Sequence, residues 1–361
     1  MEVGSRIDRL RASLEREAVD ALLLTNLTNI RYLTGFTGSA AMLLVTAEDS
    51  WFVTDGRYTL QAAAELEAAG VRSTIEVPAT AAGQRDVIAA AGSHLARVAL
   101  EGDHVTWNQQ RRFDAEWFVS SEVVPTTGLV ERLRLRKDRG EVERLSAAAG
   151  IADLAFDRLR SRLADRPTEA EFALELDTEM RRLGASDVSF ETIVASGPNG
   201  ARPHHRPGRR TVVEGDLVVC DFGALVDGYH SDMTRTVWVG EPTAVQRRMW
   251  EVVAEAQQAG VDAVAAGVGV AAVDTACRSV IDASGWGDAF IHSTGHGVGL
   301  DIHENPRLAA VADDVLEAGW VVTVEPGVYL EDHGGVRIED MVLVTDDGCE
   351  PFTRAPKDPA V

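Results

Sequence analysis

Residues 217–239 read LVVCDFGALVDGYHSDMTRTVWV, two apolar runs on either side of an Asp-Gly pair. Asp227-Gly228 between alternating hydrophobic runs predicts a two-residue β-hairpin, because a type I′ turn needs positive φ at both central residues. The predicted strands run from Leu217 to Val226 and from Tyr229 to Val239. This hairpin sets the local register of the region.

Each predicted strand carries one lone aspartate. In a two-residue hairpin, Asp221 lies opposite Thr234 and on the same face as Asp232, its diagonal neighbour. Two carboxylates side by side repel each other and are costly to desolvate, so they require protonation, a cationic partner or a metal ion. A surface hairpin with two solvated acids is the alternative that the hairpin alone leaves open.

Composition excludes two classes of partner. The 361 residues suffice for two domains of ordinary size, and the 45% hydrophobic content supports a large core. The 35 Lys and Arg residues against 57 Asp and Glu residues give a formal net charge of −22. This charge repels phosphate backbones and anionic membranes, so we expect neither nucleic acid nor a membrane as a partner.

The N-terminus and the cysteines predict a cytoplasmic protein. Residues 1–17, MEVGSRIDRLRASLERE, are charged and amphipathic, without the apolar core of a signal peptide. No stretch approaches the roughly 18 apolar residues of a membrane span. Cys220, Cys277 and Cys349 are too few and too scattered for a disulfide framework, which fits a reducing compartment.

The pattern of segments predicts two domains. Helices alternate with short strands up to about residue 130, which is typical of a small α/β domain. Within it, residues 29–46, NIRYLTGFTGSAAMLLVT, have the composition of strands and turns. The charged run ERLRLRKDRGEVERL, residues 131–145, is interrupted by Gly140 and marks the boundary. We therefore expect domains at residues 1–133 and 140–361.

The second domain has an α+β pattern. Thr168 followed by Glu171 forms a capping-box pattern that starts one of its helices. The hydrophobic periods predict helices at 141–163, 168–183, 244–266 and 269–284, and strands at 189–195, 217–226, 229–239, 321–325 and 335–344.

Further candidate ligands follow the hairpin. His296 lies between two glycines in IHSTGHGVGLDIHE, residues 291–304, where glycine permits close backbone approach. We reject a phosphate-binding loop here, because Pro306 follows where the helix of a dinucleotide fold should continue. Glu325 ends an apolar strand in VVTVEPGVY, and Glu339 lies inside another in GVRIEDMVLV. Each acid taken alone also fits a structural role.

In this order and with these spacings, the five residues resemble the ligands of the pita-bread metallopeptidases (M24): Asp221, Asp232, His296, Glu325 and Glu339. That family includes methionine aminopeptidase, aminopeptidase P and prolidase. The resemblance covers residues 140–355, while NIRYLTGFTG and TDGRY resemble the creatinase-type domain of its proline-directed branch. It implies an α+β protein in which a small α/β creatinase-like domain precedes a pita-bread catalytic domain, closest to short bacterial Xaa-Pro dipeptidases.

The resemblance implies a centre of two divalent metal ions. Asp232 and Glu339 would bridge the ions and Asp221 would complete one of them, while His296 with Glu325 would complete the other. Four carboxylates and one imidazole suit Mn²⁺, which we expect, or Co²⁺ or Zn²⁺, more than a thiolate-selected metal. Two such ions activate water and polarise the scissile carbonyl. Glu325 therefore counts among the catalytic residues as well as the ligands.

Other residues near these ligands receive expected roles. His204, in GARPHHRP, and His303 match family histidines that assist catalysis, whereas the neighbouring His205 is assigned to packing. His292 matches a substrate-site histidine of the family. Arg337 is expected to contact substrate or, alternatively, to orient carboxylates.

The resemblance implies an exopeptidase that cleaves before a proline in the second position of a peptide, and a homodimer, because members of the family are often dimers. A dipeptidase has to hold the free carboxylate of a C-terminal proline, which asks for a fixed cation. Arg307, in HENPR, resembles such a cation in some prolidases. We therefore expect an Xaa-Pro dipeptidase, with aminopeptidase P, acting on longer peptides, as the alternative.

A metal-free creatinase-like hydrolase and a binding scaffold are more remote alternatives. Both share the fold, but the metal-free members of the family replace the ligands. All five ligand types are present in this chain. A metal titration separates these alternatives from the peptidase.

Overall fold

A six-stranded mixed sheet forms the centre of Met1–Arg134, the first of two units in the computed structural model, which describes residues 1–361. Its strands are β1 (Ala21–Leu24), β2 (Ala41–Thr46), β3 (Ser50–Thr54), β4 (Thr74–Glu76), β5 (Arg97–Glu101) and β6 (Glu122–Thr126). Its helices are α1 (Arg6–Arg16), α2 (Leu27–Thr34), α3 (Thr59–Ala68), α4 (Ala81–Gly92), α5 (Trp107–Arg112) and α6 (Leu129–Leu135). The strand order is β4-β3-β2-β1-β5-β6, and β1, β5 and β6 are parallel. This is the α/β alternation that the sequence predicts.

Helix α2 is a correction to the sequence-based prediction of strand and turn over residues 29–46. The Asn26 side chain caps the helix by accepting a hydrogen bond from Thr28 N, and Gly35 ends it at φ 75°. An asparagine cap and a glycine in the left-handed region are helix-boundary signals. Over residues 29–34 the strand prediction is wrong, because the Ile, Tyr and Thr residues there are common in strands but form the buried face of a helix. Residues 41–46 form strand β2, as predicted.

The second unit, Leu135–Val361, contains the remaining elements. Its helices are α7 (Arg139–Leu159), α8 (Glu169–Arg182), α9 (Ala244–Asp262) and α10 (Val270–Ala283). Its strands are β7 (Asp187–Val188), β8 (Ile193–Ser196), β9 (Leu217–Phe222), β10 (Ala224–Val226), β11 (Tyr229–His230), β12 (Met233–Trp238), β13 (Gly295–Gly297), β14 (Glu304–Leu308), β15 (Val321–Val324), β16 (Gly327–Leu330), β17 (Gly334–Arg337), β18 (Asp340–Val344) and β19 (Cys349–Pro351). None of the helices in either unit has both the length and the apolar character needed to cross a membrane.

Two helix-on-sheet layers make up this unit. α7 and α8 pack on the sheet β12-β9-β8 around a core that includes Phe156, Phe172 and Phe222. α9 and α10 pack on the sheet β14-β13-β15-β18-β19 around a second core that includes Ile281 and Val322. Each layer buries one face of its sheet, so polar side chains at alternating strand positions point away from the helices.

The Asp-Gly hairpin is confirmed in turn type and register. Asp227 and Gly228 have φ values of 47° and 78°, as a type I′ turn requires. Asp221 pairs with Thr234 in the ladder of β9 and β12. The two long predicted strands are each divided in the structure, because the end near the turn, β10 and β11, joins β7 in a separate sheet.

The predicted strand 335–344 is also divided. β17 ends at Arg337, and β18 begins at Asp340. Between them, Glu339 N donates a hydrogen bond to Thr234 O at 3.1 Å. The prediction of a single continuous strand is wrong, because the chain passes from the sheet of β16 and β17 to the five-stranded sheet that contains β18. Between the two sheets it hydrogen-bonds to β12. This change of partner brings Glu339 beside the hairpin.

Two glycine substitutions test the turn. Gly228→Ala is expected to lower the free energy of unfolding by about 1 to 2 kcal/mol, because alanine would have to adopt positive φ. Gly150→Ala is expected to raise it by about 0.4 to 1 kcal/mol, because Gly150 is an exposed helical position with open space for a Cβ. Chemical denaturation followed by tryptophan fluorescence measures both. A midpoint for Gly228→Ala at or above that of Gly150→Ala would contradict the turn assignment.

Candidate metal centre

Strand alternation separates core side chains from candidate ligands in the hairpin. Cys220 and Phe222 are fully buried in the hydrophobic core. Asp221, between them, points to the opposite face, because successive side chains of a strand alternate. Asp232 lies just before the start of β12 on the paired arm. The hairpin thus presents two carboxylates on one face, as its register predicts.

Three candidate ligands converge from different parts of the unit. Asp232 comes from the hairpin, His296 from β13, and Glu339 from the segment between β17 and β18. Each offers one ligand atom, these atoms lie within 4.8 Å of one another, and all three residues are buried. The cluster therefore has the size of a metal site.

The His296 ring is oriented by the backbone. Its Nδ1 lies 3.0 Å from Gly297 O, and a carbonyl oxygen only accepts, so Nδ1 carries the proton. Nε2 is then an acceptor, yet it lies 3.5 Å from Asp232 Oδ2 and 3.4 Å from Glu325 Oε1. Burial lowers the pKa of His296 to about 4, which keeps the ring neutral. The lone pair of Nε2 thus faces two carboxyl groups.

The carboxyl groups of the site have the electrostatics of a cation site. Burial raises the pKa of Asp232 and of Glu339 well above the usual range, and neighbouring carboxylates add to both shifts. Burial also raises the pKa of Glu325 to about 8. Asp221 Oδ1 and Glu339 Oε1 are buried without a hydrogen-bond partner. Buried acceptors that repel one another and lack donors fit divalent cations, which neutralise them.

Arg337 is buried beside these carboxylates rather than exposed. One guanidinium nitrogen donates to Asp221 Oδ2 at 2.6 Å, and Nε donates to Thr234 Oγ1 at 3.0 Å. Thr234 Oγ1 in turn donates to Glu339 Oε2 at 2.8 Å. Burial raises the pKa of Asp221, and Arg337 is the main opposing charge. Arg337 thus bonds the Asp221 carboxylate directly and reaches the Glu339 carboxylate through Thr234.

His292 is joined to Arg337 through Tyr329. Arg337 donates to Tyr329 Oη at 2.8 Å, and Tyr329 Oη lies 2.9 Å from His292 Nε2. His292 Nδ1 lies 2.8 Å from Ser293 O, so Nδ1 carries the proton and Nε2 accepts the hydrogen bond from Tyr329. The hydrogen bonds therefore run in one direction, from Arg337 to His292.

Two further histidines predicted as catalytic have exposed side chains near the cluster. The rings of His303 and His296 are in edge-to-face contact, with centroids 4.4 Å apart. Both side chains, His204 and His303, interact electrostatically with Asp221, more weakly than Arg337 does. His205, predicted to be a packing residue, is largely buried, and its Nε2 lies 2.9 Å from a carboxylate oxygen of α8.

Arg307 lies at the rim of the cluster. It is paired with His296 across β13 and β14, so both side chains leave the same face of the sheet. Its side chain is exposed and forms no hydrogen bond or ion pair. Its charge nevertheless acts against the burial that raises the pKa of Glu325. Arg307 is therefore a free cation beside the candidate metal centre.

The sequence analysis missed a group of supporting residues. Asp274 is fully buried on α10, and its Oδ1 accepts a hydrogen bond from Thr294 Oγ1 at 2.8 Å. Thr294 O accepts from Glu325 N at 2.7 Å. Thr234 and Asp274 both support ligands distant in sequence, so no local pattern points to them. The one sequence feature that could have identified either residue is the position of Thr234 opposite Asp221, which the hairpin register predicts.

Comparison with protein families and known proteins agrees with this geometry. The model of metallopeptidase family M24 matches residues 143–346, more than half of the chain. The model of the creatinase/prolidase N-terminal domain matches residues 6–136.

Relatives match over nearly the whole chain. An Xaa-Pro dipeptidase of Pyrococcus furiosus is 33% identical over 98% of this chain and 99% of its own. The structure of an Xaa-Pro dipeptidase from Bacillus anthracis has a TM-score of 0.94 at 40% identity, covering 99% of this chain and 100% of that chain. An X-Pro aminopeptidase from Thermotoga maritima has a TM-score of 0.88 at 34% identity, covering 97% and 100%. The chain belongs to metallopeptidase family M24, with a creatinase/prolidase N-terminal domain before its catalytic domain.

Proposed function

We propose that the chain is an Xaa-Pro dipeptidase, a hydrolase that depends on two divalent metal ions and cleaves a dipeptide whose second residue is proline. The observation that carries this proposal is the convergence of buried ligand atoms from Asp232, His296 and Glu339 within 4.8 Å of one another, beside a Glu339 Oε1 and an Asp221 Oδ1 that have no hydrogen-bond partner. Relatives named Xaa-Pro dipeptidases, matched over nearly their full length, support the substrate class.

The proposed ligands of the two ions are five: Asp221, Asp232, His296, Glu325 and Glu339. When bound, the ions activate water and polarise the scissile carbonyl. A donor set of four carboxylates and one imidazole supports Mn²⁺ as the metal, ahead of Co²⁺ and Zn²⁺. The homodimer expected from the family resemblance and the cytoplasmic location expected from the N-terminus and the cysteines stay predictions.

The side chains around the cluster receive separate roles in this proposal. His204 and His303 are exposed beside it, in positions suited to donate hydrogen bonds to the substrate carbonyl as its oxygen gains charge. Glu325 is assigned to take up the proton of the attacking water. Its side chain is 18% exposed, against 13% for Asp221 and 7% for Asp232, so Glu325 faces the open side of the site.

Arg337 and His292 are proposed to support the ligands. Arg337 is 3% exposed, and its bonds to Asp221, Thr234 and Tyr329 favour orienting carboxylates over contacting substrate. His292 Nε2 is occupied by Tyr329, which leaves ring packing as its contact with a substrate. A proline ring has no N–H to bind, so a site that recognises it by fit needs such packing.

Arg307 is proposed to distinguish the dipeptidase from the aminopeptidase alternative. A dipeptide substrate ends in a carboxylate one residue after the scissile bond, and a free guanidinium is a suitable partner for it. Arg307 is exposed, unpaired and on the same face as His296. A longer peptide places no carboxylate at that point.

Removing a proposed bridging carboxylate is expected to remove metal. Asp232→Asn and Glu339→Gln should each bind fewer than two equivalents tightly and lose nearly all turnover, with the circular dichroism spectrum retained. Isothermal titration of the metal-free protein with Mn²⁺ measures the stoichiometry. Asp313→Asn, an exposed acid outside the site, is the matched control and should bind two equivalents. Two tight equivalents and normal turnover in either ligand variant would refute the assignment.

Removing either exposed histidine is expected to leave the metals in place. His204→Ala and His303→Ala should each lower kcat by about 10², the usual size for losing a proton-transfer or oxyanion group. His94→Ala, an exposed histidine of the first unit, is the control and should keep kcat unchanged. Steady-state kinetics with an Xaa-Pro dipeptide tests this. A rise in KM at constant kcat would mean that the histidines only bind substrate.

Arg307→Ala tests the choice of substrate. Cleavage of an Xaa-Pro dipeptide should fall by more than tenfold, because truncating a charge pair costs about 2 to 5 kcal/mol. An Xaa-Pro-Yaa tripeptide or a C-terminally amidated dipeptide should lose much less. Arg182→Ala, which removes one exposed positive charge from α8, controls for net charge. Equal losses on both substrates, or faster wild-type cleavage of the tripeptide, would favour the aminopeptidase.

A further inference from the structure

Glu169 carries a fully buried carboxylate at the start of α8, away from the candidate metal ligands in the sequence. Its Oε1 accepts hydrogen bonds from Ser196 N at 2.9 Å, Ser196 Oγ at 2.7 Å and Asn199 Nδ2 at 2.9 Å. Its Oε2 accepts from Gly208 N at 3.1 Å and lies 2.9 Å from His205 Nε2. All of these partners belong to residues 196–208, the segment that contains His204.

These bonds are separate from the cap of the helix. The N-terminus of α8 is capped by Thr168 and Glu171, whose side chains bond to each other's backbone N–H groups. The Glu169 side chain bonds none of the N–H groups of its own helix. Burying a carboxylate is costly unless it is fully hydrogen-bonded. The five hydrogen bonds offset that cost. Burial acts to raise the pKa of Glu169, but the hydrogen bonds from Asn199, Ser196 and His205 outweigh it and hold the pKa below the usual value for a glutamate.

His204 is exposed, whereas both of its neighbours in the chain are held by hydrogen bonds. On one side, Pro203 O accepts a hydrogen bond from Arg337 at 3.4 Å. On the other side, His205 is held by Glu169. His204 therefore lies between two residues that are held in place: Pro203, bonded to Arg337 beside the candidate metal ligands, and His205, bonded to α8.

We propose that Glu169 is a positioning residue for His204. Its carboxylate fixes both ends of segment 196–208, and this restricts His204 to the orientation in which its ring reaches the substrate carbonyl. A misplacement of about 1 Å in such a group costs up to 10²-fold in rate. The inference rests on the proposed peptidase activity, but it holds for a dipeptide or a longer substrate alike.

Glu169→Gln is the variant of choice because it keeps the shape of the side chain. Its amide places a donor against Gly208 N–H or against the donors at Ser196, so one end of the segment loses its anchor. Glu171→Gln, two residues along the same helix, is the matched control, because glutamine also completes a capping box. We expect Glu169→Gln to lower kcat by about tenfold with KM and the two metal equivalents nearly unchanged, and Glu171→Gln to change none of these.

A double-mutant cycle separates positioning from a general effect on the fold. If Glu169 acts through His204, Glu169→Gln should cost less than twofold in kcat when His204 is already alanine. A further tenfold loss in that background would overturn the proposal. The cycle is run on whichever Xaa-Pro substrate the wild-type protein cleaves. His205→Ala removes one partner only and should give a smaller loss in the same direction.

A measurement that does not depend on catalytic turnover tests this inference separately from the proposed function. The ring resonances of His204, identified by their absence in His204→Ala, should shift or broaden in Glu169→Gln and stay unchanged in Glu171→Gln. Unchanged ring resonances in Glu169→Gln and His205→Ala would overturn the positioning role even if the protein proves to be a dipeptidase. A wild-type protein that cleaves no Xaa-Pro peptide would overturn the proposed function and, with it, the catalytic meaning of the position.

Discussion

Mutual repulsion among buried acceptor atoms is the constraint on which the second unit depends. Asp232 and Glu339 lie beside each other and beside His296 Nε2, all three residues are buried, and Glu339 Oε1 has no hydrogen-bond partner. Without a cation such a cluster destabilises the fold, because each carboxylate is desolvated and faces like charge. The surrounding structure therefore has to hold these groups in place against their repulsion, and divalent ions supply the missing charge.

Two buried arginines hold the carboxylates in place against that repulsion, one by bonding to side chains and the other by bonding to the backbone. Arg337 bonds directly to the Asp221 carboxylate and, through Thr234, reaches Glu339. Arg235 acts on the backbone, because it donates to Glu339 O and to Ala355 O and pairs with Asp340 at 2.8 Å. The first arginine sets the direction of carboxylate side chains. The second one ties the hairpin, the segment of Glu339 and the C-terminal segment to one another.

Local patterns were sufficient to predict much of this arrangement. The type I′ hairpin follows from Asp227-Gly228 and the alternating runs beside it, and its register places Asp221 against Thr234, as the structure has it. Helix α2 was missed because composition outweighed its caps, Asn26 and Gly35. Partners that are distant in the sequence leave no local pattern. Glu169 lies inside a predicted capping box, yet its carboxylate accepts hydrogen bonds from a segment about thirty residues further along the chain.

Glu339 and Asp340 show why residue type alone does not separate a candidate ligand from a structural acid. They are adjacent acids in the same chain, both nearly inaccessible to solvent. Asp340 faces Arg235 and Lys357, which hold its pKa below the usual range although burial acts to raise it. Burial raises the pKa of Glu339, and the carboxylates it faces raise it further. The difference comes from extended backbone, which sends successive side chains to opposite faces. The protein therefore neutralises Asp340 with its own cations, whereas Glu339 stays without a cationic partner of this kind and is the proposed metal ligand.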